Sequence, residues 1–116
     1  MATNTFVNAK QRNIGTSAVT VYTCSGTGKK SVVIGLRVTN TTASSVNISV
    51  KIVSSALDYY LVGWPTATAD LASGGSMIIV NGDIDKVVLL DGERIDVFSN
   101  TVTSVDSVCS ALEITP

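Results

Sequence analysis

The chain has 116 residues, 45% hydrophobic and 15% charged, with 8 Lys and Arg against 9 Asp and Glu for a formal net charge of −1. That length suits one domain able to bury roughly 65% of its unfolded surface, and that balance leaves no electrostatic footprint for nucleic acid or an anionic membrane. The chain has no histidine, which removes the usual general base at neutral pH, the usual triad partner and the commonest metal ligand, so an enzyme is not expected.

Met1-Ala2-Thr3-Asn4-Thr5 carries neither the basic n-region nor the apolar h-region of a secretory signal, which reads as a product of the cytoplasm. Phe6-Val7 opens a short edge strand, with residues 1–16 as a candidate N-terminal arm. Residues 18–24 form a strand with Val19 and Val21 on one face, and Ser25-Gly26-Thr27-Gly28-Lys29-Lys30 is a turn. The less regular apolar pattern of residues 31–40 predicts a central strand buried on both faces, with Gly35 at a bulge or close approach. Residues 40–45 are polar and turn-forming, so this strand and the next are expected to make a hairpin.

The clearest strand is Val46-Asn47-Ile48-Ser49-Val50-Lys51-Ile52. Its alternation places Val46, Ile48, Val50 and Ile52 on one face and Asn47, Ser49 and Lys51 on the other. Residues 57–62 make another strand, stopped at Gly63-Trp64-Pro65 because proline has no N–H for a ladder, and residues 66–73 read as a small, polar connection. Strands are predicted at 76–80, 86–90 and 94–99, separated by Asn81-Gly82-Asp83 and Asp91-Gly92 turns. The final strand, 104–114, offers Val108, Ser110, Leu112 and Ile114 on one face.

About eight short strands without a helical period predict an all-β protein, an antiparallel two-sheet β-sandwich of jelly-roll-like type, because each sheet must cover its apolar face with another layer. A small closed barrel is the alternative architecture. The sandwich fills residues 1–116 as one domain, and no apolar run approaches the ~20 residues of a membrane helix.

Candidate chemistry is sparse. Gly26-Thr27-Gly28-Lys29-Lys30-Ser31 superficially resembles a phosphate loop, but Thr23 and Lys30 occupy positions where that loop needs Gly and Ser or Thr, so a solvated turn with basic tips is expected. Cys24 and Cys109 lack metal-site spacing and read as two buried thiols rather than a disulfide. Asp83, Asp85, Asp91, Glu93 and Asp96 could hold Ca²⁺ if their loops converged, but the spacing is not that of an EF-hand and turn capping is the expected role. Asn40-Thr41-Thr42 and Asn47-Ile48-Ser49 match the glycosylation pattern by chance in a chain without a secretion signal. No catalytic, cofactor or metal site is expected.

Tyr59, Tyr60 and Trp64 hold most of the aromatic surface. Adjacent tyrosines on a strand face opposite sides, which predicts one in the core and one exposed. Such rings serve packing, a subunit interface or sugar stacking.

Tyr59-Tyr60-Leu61-Val62, Ser73-Gly74-Gly75-Ser76-Met77-Ile78-Ile79, the run from Lys86 through Leu90-Asp91-Gly92-Glu93-Arg94 to Val97, and the closing Leu112-Glu113-Ile114 together resemble small β-sandwich virion proteins of tailed bacteriophages. Val32-Val33-Ile34-Gly35-Leu36 fits the same likeness. The resemblance implies a non-enzymatic structural subunit of the virion, made in the host cytoplasm, that decorates or cements the head by bridging shell subunits. A neck, tail or fibre-associated role and a glycan-binding module are the alternatives. Expected partners are the major capsid protein or other virion proteins and further copies of the chain, with a trimer as one form. Expected contact residues are Phe6 and Val7 in the arm, Lys29 and Lys30 at the turn, and Tyr59, Tyr60 and Trp64.

Overall fold

A computed structural model describes residues 3–64, 66–82 and 86–116. Met1, Ala2, the strand-stopping Pro65 and the acidic pair Asp83 and Asp85 lie outside the described residues. The chain forms strands β1 (Thr3–Ile14), β2 (Val19–Thr23), β3 (Lys30–Asn40), β4 (Val46–Ser54), β5 (Leu57–Val62), β6 (Ala69–Leu71), β7 (Ser76–Asn81), β8 (Val87–Leu90), β9 (Arg94–Ser99) and β10 (Val105–Thr115).

All pairings are antiparallel, in two sheets. The first runs β1-β10-β3, with β7 and β8 along the free side of β3; the second runs β2-β9-β4, with β5 and β6 along the free side of β4. β8 covers β3 from Lys30 to Val33 and β7 from Gly35 to Thr39. β6 and β5 divide β4 in the same way. Each split pair therefore fills one strand position, and the two sheets of four positions make a jelly roll rather than a closed barrel.

Both interruptions fall where a glycine abuts the neighbouring central strand. Gly63 has φ +77°, and a Cβ there would lie 2.3 Å from the Ile48 carbonyl oxygen. Gly82 donates its N–H to Ile34 O at 2.9 Å, and a Cβ would come within 2.6 Å of that oxygen. Only a residue without a side chain fits at either place.

The core lies between the sheets. Val33, Leu36 and Val38 of β3 and Val105, Cys109 and Ala111 of β10 meet Ile48 and Val50 of β4 and Ile95 and Val97 of β9, all buried. Each large aliphatic side chain removed from water there contributes about 1.5–3 kcal/mol. Cys24 and Cys109 are both buried free thiols.

The outward face of residues 31–40 is open at Arg37 rather than buried, and tertiary packing departs from the sequence expectations for the strands in five further places. The strands at 31–40 and 46–53 are not a hairpin, because β3 and β4 belong to different sheets. Buried Asn40 redirects the chain: its Nδ2 donates to Ser44 O at 2.8 Å and Leu71 O at 3.0 Å, while its Oδ1 accepts the Thr42 N–H at 2.8 Å. These bonds satisfy a connection that crosses between layers. Secondly, the first strand is twelve residues long rather than short, paired with β10 from Thr3 to Ile14 at the edge of the first sheet.

Thirdly, residues 66–73 include β6, which Leu71 anchors by burial opposite Val46. Fourthly, Ser49 is buried on the outward side of β4, under the turn at Gly63, with its Oγ donating to Val62 O at 3.3 Å. Lastly, neither Tyr59 nor Tyr60 enters the core: Tyr59 is exposed on the edge strand β5, and Tyr60 pairs with outward-facing Lys51 and shares its face. Tyr22 of β2 is the buried tyrosine instead.

Candidate interaction surfaces

The four-position first sheet turns a row-by-row pattern outward. Paired residues in a sheet share a face, so the register sets Phe6, Leu112, Val32 and Val88 in one row and Lys10, Val108, Arg37 and Ile78 in another. A third row holds Asn4, Ile114, Lys30 and Leu90. Phe6 is 75% exposed, Val88 and Ile78 54% each.

The β10 face carrying Val108, Ser110, Leu112 and Ile114 thus points outward, and Val105, Ser107, Cys109 and Ala111 point inward. Size decides the choice. The inward residues Cys109 and Ala111 stand opposite Leu36 and Val33, so small side chains on β10 leave room for large ones on β3 within a closely packed layer.

Between two apolar rows runs Asn8, Ser110, Gly35 and Asn81. Gly35 sits beside the bulge expected there, where the β3–β10 register shifts, and nothing lies within 4 Å of where its Cβ would be. The gap opens a concavity of about 410 Å³ lined by Ile34, Arg37, Ile78 and Val108 among others.

Charges are distributed unevenly. Lys10, Lys30 and Arg37 are exposed on this face, and the ion pairs among the described residues, Lys29–Glu113, Lys51–Asp58 and Arg94–Asp96, involve none of them. The composition alone showed a nearly neutral chain; folding collects cations that the sequence scatters.

The outward side of the second sheet is built differently. Asp96, only 5% exposed, accepts from Thr20 Oγ1 at 2.8 Å and from Arg94 Nε at 3.2 Å. Lys51 bonds Asp58 at 3.0 Å and lies between the rings of Tyr60 and Phe98, 6.0 and 5.7 Å from their centroids.

A polar clamp joins the sheets at one end. The Tyr22 hydroxyl of the second sheet meets Ser31 Oγ at 2.6 Å and donates to Glu113 Oε2 at 2.5 Å, and Lys29 pairs with Glu113 Oε1 at 2.8 Å. Burial, then the Glu113 bond, raises the Tyr22 pKa well above the usual phenol range. The hydrogen bonds from Lys29 and Tyr22 hold the Glu113 carboxyl below the usual carboxylate range.

The expected contact residues fall in five separate places. Phe6 and Lys30 share the outward face of the first sheet. Val7 points the other way, opposite Ala111 and against the core, and Lys29 is half-buried in its pair with Glu113 rather than a free basic tip. Tyr60 belongs to the Lys51 cluster, whereas Tyr59 and Trp64, the latter 71% exposed, lie along the β5 edge. Sequence reading missed Val88, Ile78 and Arg37 as surface residues; large apolar residues in strands look alike from either side.

Asp91 Oδ1 accepts the Gly26 N–H and Glu93 Oε1 the Leu90 N–H, the turn-capping role expected of them. No three His, Cys, Asp or Glu among the described residues are grouped to hold a metal. Burial pushes the Cys109 thiol up to about 11, so it is no ready nucleophile at neutral pH. No helix among the described residues is long and apolar enough to cross a membrane.

No protein-family model and no curated protein matches this sequence. Solved structures match its fold. A protein of Bacillus endospore appendages, a novel family of disulfide-linked pili, is 12% identical over 98% of this chain and 88% of that one, with TM-score 0.52. A chain of infectious bursal disease virus, Gx strain, is 8% identical over 97% of this chain with TM-score 0.56. A chain of the T13 particle of infectious bursal disease virus is 9% identical over 97%, with TM-score 0.55. This chain spans 32% and 30% of those viral chains. At such identities the likeness is one of fold: an antiparallel β-sandwich.

Proposed function

We propose that this chain is a non-enzymatic structural subunit of a virus particle, and within that class a head decoration or cement protein of a tailed bacteriophage. One observation carries the reading: the outward face of the first sheet leaves Phe6 of β1, Val108 of β10, Ile78 of β7 and Val88 and Leu90 of β8 exposed, with half-buried Val32 of β3 between them. A monomer in free solution rarely leaves such a contiguous patch to water. The bacteriophage resemblance and the sandwich shared with chains of a virus particle support the assignment.

Cementing would bury that patch against neighbouring shell subunits. Each contact need only be modest, because copies bound around a lattice act together. Mass spectrometry of gradient-purified particles tests it: the chain is expected at a fixed ratio to the major capsid protein, and its absence from particles rejects the assignment. Cryo-electron microscopy of the same particles separates head from neck or tail.

A second reading has its own support. The endospore appendage protein is matched over 88% of its length, which favours a filament subunit. Fibres formed by the purified chain under negative stain would favour it. Cys24 and Cys109 are buried, so the fibres would persist in reductant unless the chain opens to expose a thiol.

A further inference from the structure

We infer that the outward face of the first sheet docks on the β5–β6 edge of a second copy of this chain, in a head-to-tail contact. The inference deepens the structural-subunit reading and rests on it for biological purpose, though not for its physics.

Charge sign selects the geometry. Lys10, Lys30 and Arg37 stand among the exposed apolar rows outside the ion pairs among the described residues. Among the described residues the acid within the register of that face, Asp106, lies at its far end and accepts the Asn13 N–H. A twofold contact of this face with itself would gather two sets of these cations in one interface with no acid but Asp106 among the described residues to offset them, which opposes association. The face needs an acidic counterpart.

The same molecule supplies one. Residues 57–71 contain two aspartates, Asp58 and Asp70, and no Lys or Arg. Asp70 is exposed and outside the ion pairs among the described residues, whereas Asp58 is already matched by Lys51, so Asp70 is the acid left for a partner. Leu57, Tyr59 and Trp64 add exposed apolar surface along that edge. A cationic apolar face and an acidic aromatic edge are thus complementary in both charge and hydropathy. They lie on different sheets, so one copy cannot satisfy itself, and a heterologous contact closes into a ring or grows as a filament according to its rotation.

The test is sedimentation velocity of the purified full chain across concentration and salt. Association that weakens with salt is expected. Arg37→Glu and Asp70→Lys are each expected to weaken it about tenfold or more, and the double variant to restore it, with circular dichroism and Tm unchanged because both positions are exposed. A chain monomeric at all concentrations overturns the inference. So does association insensitive to either substitution, or sensitive to Arg37→Glu alone, which would place a different protein on the face. A monomer found in purified particles would sink this contact and leave the virion assignment standing; a self-associating chain missing from particles would do the reverse.

Discussion

The two outward faces of this sandwich are finished for different surroundings. On the second sheet the outward charges of the central strands are matched, Asp96 with Arg94 and Thr20, Lys51 with Asp58, and rings cover the Lys51 stem. On the first sheet apolar rows lie open and the cations stand outside ion pairs. The contrast shows central strands whose outward charges are matched within one chain beside a face left for another.

The sharpest test of that contrast sets two glycines against each other. Gly63→Ala places a Cβ against Ile48 O at a positive φ and is expected to cost more than ~3 kcal/mol or to abolish folding. Gly35→Ala meets nothing within 4 Å and should change stability by less than ~1 kcal/mol while narrowing the concavity. Urea denaturation of both measures the difference, and equal losses would erase the distinction between a closed edge and an open face.

Next in size is Asp96→Ala on the second sheet, which removes a buried acceptor from Thr20 and Arg94 and is expected to lower stability by about 1–3 kcal/mol. Ile78→Thr on the first sheet should move it by less than ~0.5 kcal/mol, yet weaken self-association. Thermal melts paired with sedimentation report both quantities.

Tyr22→Phe cuts the clamp between sheets and is expected to cost about 1 kcal/mol. Because the folded Glu113 pKa is depressed, its contribution is present above the ordinary value of 4.5 and is lost as pH falls through the lower folded value. Glu113→Gln should therefore flatten the acid limb of a stability–pH curve, while an unchanged limb would remove the clamp from acid unfolding. Ser107→Ala is expected to act in the opposite direction. Its buried Oγ has no hydrogen-bond partner among the described residues, so the alanine variant should be more stable by up to ~1 kcal/mol in the same melts.

Much of the fold was legible because β patterning is local. The alternation from Val46 to Ile52 marks one strand whatever surrounds it, and the boundaries of β5 at Leu57 and Val62 follow from the turn residues beside them. Less of the candidate surface could be read. Val108 and Cys109 are both acceptable core residues by type, and which one turns inward depends on the bulk of Leu36 across the ladder. The β3–β4 connection misled for a similar reason: a polar six-residue turn looks alike whether it closes a hairpin or crosses to a second layer through Asn40.

The amino-acid order by itself determined that this is an all-β chain of short antiparallel strands, because period-two patterning and turn residues act over a few neighbours. It also set the residue types available for a surface without histidine. Only the tertiary structure decided which side of the first sheet meets water, since that depends on the volumes of strands far apart in sequence. It alone brought Lys10, Lys30 and Arg37 onto one face, because strand register, and no local rule, makes distant residues neighbours.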